Sequence, residues 1–295
     1  MDYVFQLFIT IGIYIILSMS LNFAMGYTGI VNFAHASFYG IGAYCSAILT
    51  IKLGIPFWFA IIFSGLLPSS VAFLLAFSTK VLREDYLGLA TLGFGIIAQS
   101  IFTNWVSLTE GPLGIKGIPR PSFWGIPLNS QASMFITILL LCIITYYILS
   151  QLLASPFGKI LKAIKNDEIA VLTLGKNVRY YKTISLVISS FFAGIAGSFY
   201  AHYRTFIDPS SFSISETMFI ISIMIVGGLG KLNAPIWGSF LLILLPEPLR
   251  FLPIPSYVIG AIRQIIYSTM VILIILKKPE GIFYHSKKRY DIIGN

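Results

Sequence analysis

Several stretches of the chain carry no Asp, Glu, Lys or Arg at all, among them Phe57 to Thr79, Ala132 to Ala154 and Thr183 to Ala201. Each runs for about 19 residues or more, and a helix of that length, rising 1.5 Å per residue, crosses roughly 30 Å of hydrocarbon. A bilayer core offers the backbone no water, so a spanning segment must satisfy its own N–H and C=O groups, and an uninterrupted apolar run does this as an α-helix. Barrel strands would be shorter and alternating. Of the 295 residues 57% are hydrophobic and only 11% charged, with a mean hydropathy of +0.86, which leaves too little polar surface to coat a soluble domain. The expected class is therefore all-α, a polytopic membrane bundle of about nine transmembrane helices, with eight to ten admissible.

Hydropathy places the spans at 4–24, 36–51, 56–78, 87–106, 132–153, 183–203, 214–230, 235–250 and 258–276. The first could pass for a secretory signal, but its opening lacks a basic residue and no small-residue cleavage pattern follows, so it is read as a retained span. The net charge of +9 could point to nucleic acid. Its distribution points elsewhere. With the N-terminus outside and the C-terminus inside, Lys80, Arg83, Lys159, Lys162, Lys165, Lys176, Arg179, Lys182, Lys231, Lys277, Lys278, Lys287, Lys288 and Arg289 all fall on the cytoplasmic side, fourteen of the 20 basic residues. The positive-inside rule accounts for that excess with no nucleic-acid partner. The organisation expected is one transmembrane domain over 1–295, an extracytoplasmic loop at 107–131, a cytoplasmic loop at 155–182 and a basic cytoplasmic tail at 277–295.

The cytoplasmic loop carries explicit helix punctuation. Pro156 and Gly158 break from the preceding span, and Lys159 to Lys165 form a basic amphipathic turn or two. Asn166 is the expected N-cap, Asp167 and Glu168 put negative charge in the next first turn, and Gly175 stands at C′. The helix so bounded, 167–174, is about 12 Å long, too short to span and marginal alone, so it needs a surface to pack on. Ile169, Val171, Leu172 and Leu174 offer the apolar face. Two roles stay open: lying on the headgroups, or docking a soluble partner.

Catalytic chemistry finds no purchase. The three histidines, His35, His202 and His285, belong to no H-E-x-x-H motif, and the chain has no C-x-x-C, no G-x-S-x-G and no phosphate-binding GxxxxGK[ST] loop. Cys45 and Cys142 sit in apolar segments as small hydrophobes, so neither a metal nor a disulfide is expected. Ion-coupled carriers place charge at membrane depth; here Glu216, Glu247 and Arg263 are the only candidates, and each reads as an interface residue. What does stand out is a polar break. Gly26 and Gly29 flank Tyr27 and Thr28 where the first span ends, and Asn22, Asn32 and His35 follow in apolar surroundings. Such groups are costly in hydrocarbon unless paired or beside a watery cavity, so the break marks either a solute pathway or a packing joint. Gln99 and Asn104 pose the same choice. Gly40, Gly42 and Ala43 permit close helix approach.

Five blocks occur together and in order: "LNFAMGYTGIVNFAHASFYGIGAY", "EDYLGLATLGFG", "GPLGIKGIPRP", "GKILKAIKNDEIAVLTLGKNVRYYK" and "GGLGKLNAPIWGSFLLILLPEPLR". They resemble the branched-chain amino acid ABC transporter permeases, and "DYLGLATLGFG" with "GIPRP" resembles the LivM-type subunit. The resemblance implies an importer in the cell inner membrane. A second permease, LivH-like or an identical copy, pairs with the chain; two cytoplasmic ATPases carry ATP and Mg; an extracytoplasmic binding protein delivers the solute. The permease itself binds no cofactor. The same resemblance makes 159–175 the coupling element, with Glu168, Ile169, Ala170 and Gly175 at the places of an EAA-like motif beside Asp167, and Val171 standing where its second alanine would be. An aliphatic zwitterion would then cross a passage of apolar and neutral polar groups with little fixed charge. Two rivals remain: a permease of the same superfamily for urea, amides or another small solute, and an ion-coupled carrier or channel.

Overall fold

The computed structural model describes residues 2–79, 84–123, 126–128, 130–248 and 256–277. The basic tail beyond Lys277 and the Lys80–Arg83 connection lie outside these residues, as does the side chain of Arg263. Helix α1 (Asp2–Leu21) continues through a π-helical turn, Asn22–Gly26. Then come α2 (His35–Leu53), α3 (Phe57–Ser78), α4 (Glu84–Asn104) and a single turn, α5 (Val106–Thr109). Helix α6 (Gln131–Ala154) is followed by two short helices, α7 (Pro156–Asn166) and α8 (Glu168–Thr173), and by the longest helix, α9 (Val178–Arg204). The chain ends with α10 (Ile214–Gly227), α11 (Ala234–Leu244) and α12 (Ser256–Lys277).

Among the described residues six helices have the length and composition to cross a membrane: Asp2–Gly26, His35–Leu53, Phe57–Ser78, Tyr86–Asn104, Gln131–Ala154 and Val178–Arg204. The chain is a multi-pass membrane protein. The expected spans at 214–230 and 235–250 meet α10 and α11 instead. With 14 and 11 residues these reach only about 21 and 16 Å, short of the roughly 30 Å core. Helix α9 begins five residues before the expected boundary because Arg179 and Lys182 are helical although they are not apolar. The architecture is helical with minor β structure. Ile115–Lys116 pairs antiparallel with Phe206–Ile207, tying the loop after α5 to the end of α9, and Ser122–Phe123 forms a small hairpin with Ile126–Pro127.

The centre of the bundle is α9 packed against α2 and α3, and small residues make the contact. Gly42 lies on the backbone of Gly194, Gly194 on Ser64 and Pro68, and Gly197 on Tyr39 and Ala43; a Cβ at any of the three glycines would overlap backbone atoms. Dispersion contact and interhelical hydrogen bonds hold helices together in lipid, so close backbone approach is where the cohesion comes from. Ser198 donates to Ser46 at 2.7 Å and Ser189 to the carbonyl of Ser20 at 2.7 Å. Aromatic rings fill the adjoining space, with Tyr44 stacked on Phe102 at 4.7 Å and Phe212 edge-on to Tyr39 at 5.1 Å. Outside this core, α3 and α6 turn large apolar side chains outward, including Phe63, Leu67, Leu74, Leu140 and Ile143. In water such faces would aggregate; in a bilayer they are solvated.

Candidate functional site

The polar break folds into a joint at the middle of the bundle. After the π turn the chain runs without helix from Gly29 to Ala34, and α2 begins with His35 already deep inside: its Nε2 lies 3.0 Å from the carbonyl of Leu17 and 3.1 Å from the Ser20 hydroxyl. The first turn of α10 meets it there, Thr217 accepting from the amide of Ala36 at 3.1 Å. Two helices therefore start facing each other inside the protein, and the loop leading to one of them buries Ile30, Asn32 and Ala34. Irregular backbone at that depth is tolerated only where protein groups satisfy it. They do so here: Thr91 Oγ1 accepts from the amide of Phe33 at 3.0 Å and Asn32 Oδ1 from that of Ala34 at 2.9 Å.

The predicted pathway residues separate on inspection. Asn22 is fully buried and works as a clamp, donating from Nδ2 to the carbonyl of Lys231 at 2.8 Å and accepting from the amide of Gly230 at 3.0 Å. It thus holds the turn between α10 and α11. Lys165 reinforces the same corner from α7, its Nζ donating to the carbonyl of Gly26 at 2.6 Å; partial desolvation lowers its affinity for the proton below the ordinary lysine value. Asn32 and His35 lie together at the joint, each with one buried polar atom, Nδ2 and Nδ1, lacking a hydrogen-bond partner. Gln99 is half-buried on α4. Asn104 lies away from all of these, exposed beside Ile96, Ile97 and Ile101, with Nδ2 bonded to the carbonyl of Ser100.

The second site is the α7–α8 element. Ser155 and Pro156 start α7, whose Leu161 and Ile164 are buried. The N-cap of α8 is Asp167, one residue later than expected, since its Oδ1 rather than Asn166 accepts from the amide of Ala170, at 3.0 Å. The helix is consequently six residues long. It stops where predicted: Gly175 adopts φ +73° and its amide reaches the carbonyl of Leu172, while that of Lys176 reaches Val171, the paired bonds of a Schellman motif. Glu168 binds Lys182 at 2.7 Å and so straps α8 to the start of α9. Val171 does not belong to the outer face as anticipated; it packs inward with Ile164 and Val178. Ile169 and Leu174 are about three-quarters exposed, at 74% and 77%, and Ala170 and Leu172 are exposed beside them.

A third feature escaped the sequence. Glu216, expected at the membrane interface, accepts a 2.6 Å hydrogen bond from the hydroxyl of Tyr14, twelve residues into α1 and so about 18 Å from that helix's start. Its side chain is half-buried within the bundle. It lines a cavity of about 230 Å³ together with Thr10, Ile13, Tyr39, Tyr200, Tyr203, Arg204 and Ser211. A larger cavity of about 510 Å³ shares Thr10, Tyr14, Tyr203 and Arg204 with it and continues past Gln6 and Tyr3 toward the end of the bundle where α1 begins. Residues 202 positions apart build this site, and the composition around Glu216 gives no sign of Tyr14. No group of His, Cys, Asp and Glu suited to a metal occurs among the described residues.

Comparison with known proteins gives a consistent picture. The family model described as "Branched-chain amino acid transport system / permease component" matches residues 3–276. The chain is 32% identical to the high-affinity branched-chain amino acid transport system permease protein LivM of Escherichia coli K12, over 92% of this chain and 67% of that protein. It is 24% identical to the permease protein LivH of the same strain, over 93% and 92% of the two chains. A nucleoside ABC transporter permease of Lactococcus lactis, NupC, is 26% identical over 59% of each. No solved structure matches.

Proposed function

The chain belongs to the family of branched-chain amino acid transport system permease components, and from that membership we propose that it is the LivM-type permease subunit of an ATP-driven importer for aliphatic amino acids. It sits in the cell inner membrane with its N-terminus outside and its C-terminus inside, paired with a LivH-like permease or an identical copy. Two ATPases holding ATP and Mg bind its cytoplasmic face, and an extracytoplasmic binding protein delivers solute to the opposite face. The observation that carries the coupling role is the geometry of α8. A six-residue helix capped by Asp167, closed at Gly175 and strapped by Glu168 to Lys182 holds Ile169, Leu172 and Leu174 outward, a rigid apolar knob suited to a cleft on a soluble partner. Movement of the ATPases would reach the joint through α7, whose Lys165 holds Gly26 at the end of α1.

The test is reconstitution of the purified complex in proteoliposomes with its binding protein. ATP-dependent leucine uptake is expected, and none from the chain alone. Accumulation against a gradient by the lone chain would refute the reading in favour of an ion-coupled carrier. The similarity to a nucleoside permease supports one alternative within the superfamily, in which nucleosides displace leucine from the uptake assay.

A further inference from the structure

A free amino acid carries an ammonium and a carboxylate, and either charge left unpaired in a low-dielectric passage is strongly disfavoured. An apolar tunnel is therefore a poor path for it, and the passage of neutral groups anticipated from the sequence leaves that cost unmet. The cavity beside Glu216 has the complementary chemistry. Its two charged side chains are one carboxylate, Glu216, and one guanidinium, Arg204, so the pair is neutral, as the zwitterion is. Tyr14 occupies only Oε1 of Glu216; Oε2 has no hydrogen-bond partner among the described residues. Arg204, the last residue of α9, is an exposed residue whose guanidinium has neither an ion pair nor a hydrogen bond among the described residues. Opposite charges lining one small cavity without pairing with each other are arranged for a ligand that brings both.

Ile13 and the rings of Tyr39, Tyr200 and Tyr203 give the same cavity apolar wall as well as hydroxyls. Its 230 Å³ is about 15 times what one water requires, room for a small amino acid. The larger cavity it joins leads toward the end of the bundle at which α1 starts. Resting on the importer reading, we infer that this cavity is the transit site for the amino-acid backbone, Glu216 taking the ammonium, Arg204 the carboxylate, and Tyr14 positioning Glu216. A nucleoside would leave both charges unmatched.

The test uses the complete importer, with binding of L-leucine measured on the permease–ATPase assembly without its binding protein and ATP-dependent uptake measured on the same preparation with it. Two half-ligands act as competitors: L-leucinamide, which keeps only the ammonium, and 4-methylpentanoate, which keeps only the carboxylate. Glu216→Gln is expected to weaken leucine about tenfold or more, the scale of a lost charged hydrogen bond, and to leave 4-methylpentanoate unchanged. Arg204→Gln is expected to weaken leucine and leave leucinamide unchanged. Glu216→Asp should recover part of the loss. Tyr14→Phe, which keeps the ring, should weaken leucine severalfold and stands in if Glu216→Gln fails to assemble. A purely structural role would weaken all three ligands together; that result, or no change in any variant, overturns the site while wild-type uptake leaves the importer reading intact. Absence of leucine uptake by the wild type overturns both.

Discussion

Replacing Asn22 by Leu separates two roles that the residue type alone leaves open, solute contact and structural joint. The side chain is fully buried and bonds the turn between α10 and α11 twice, to the carbonyl of Lys231 at 2.8 Å and from the amide of Gly230 at 3.0 Å. Leucine has similar bulk and no polar atoms, so both backbone groups would lose their partner. At about 1–3 kcal/mol for each group stranded, the folded bundle should lose roughly 2–6 kcal/mol. Asn22→Asp keeps an acceptor for Gly230 but, when ionised, sets a buried carboxylate oxygen against the Lys231 carbonyl, so it should cost at least as much as Leu. In detergent, the thermal midpoint followed by fluorescence-detected gel filtration should drop by about 5 °C or more for Leu, since about 1 kcal/mol shifts a domain of 150–250 residues by 2–4 °C. Uptake by whatever protein survives should scale with the folded fraction. A Leu variant with unchanged midpoint and abolished uptake would refute the joint and make Asn22 a pathway residue.

The remaining predictions concern the coupling element and the core. Ile169→Asp with Leu172→Asp alters side chains that face solvent, so the protein should insert and fold normally while ATPase co-purification falls at least severalfold; unchanged pull-down would count against docking at α8. Gly175→Pro cannot adopt φ +73° and removes the amide that closes on Leu172, so α8 should unwind and uptake fail with membrane content preserved, as measured by quantitative immunoblot. Glu168→Arg replaces a 2.7 Å ion pair with like charge beside Lys182 and should weaken ATPase binding less than Gly175→Pro does. Gly194→Val places a branched side chain against the backbone of Ser64, and overpacking of this kind costs about 1–3 kcal/mol or more, so monodisperse protein should be lost on gel filtration; a stable Gly194→Val variant would mean that α9 and α3 are not held this closely.

What the sequence made legible was whatever is decided locally. A run such as Ala132 to Ala154 has no choice but to be a membrane helix, because its composition excludes water and its length matches the bilayer, and α6 occupies Gln131–Ala154. Gly175 ends α8 because a positive φ is cheap only for glycine, a fact that needs no knowledge of neighbours. The N-cap missed by one place, Asp167 for Asn166, shows the resolution of such signals: both side chains can cap, and which one does depends on where α7 releases the chain. Hydropathy also placed α9 too late, at 183 rather than Val178, because it detects lipid contact and is blind to a helix that begins in the charged layer.

What stayed hidden was decided by partners far along the chain. Asn22 reads as a polar residue in the wrong place until Gly230 and Lys231 are brought to it, and Glu216 reads as a helix-start charge until Tyr14 reaches it from a helix 202 positions away. The expectation of a passage with little fixed charge rests on composition alone. Few charges per residue says nothing about where those few converge. In hydrocarbon the energetic argument runs the other way: an ionised side chain is retained at depth only if something compensates it. Glu216 has half its carboxylate compensated by Tyr14, and Arg204, exposed at the end of α9, has no ion pair among the described residues, so the balance at the cavity they share is completed either by water or by a passing solute that carries both signs. The half-ligand competition decides between them, because water would serve every variant alike, whereas a zwitterion must feel the loss of each charge at one end only.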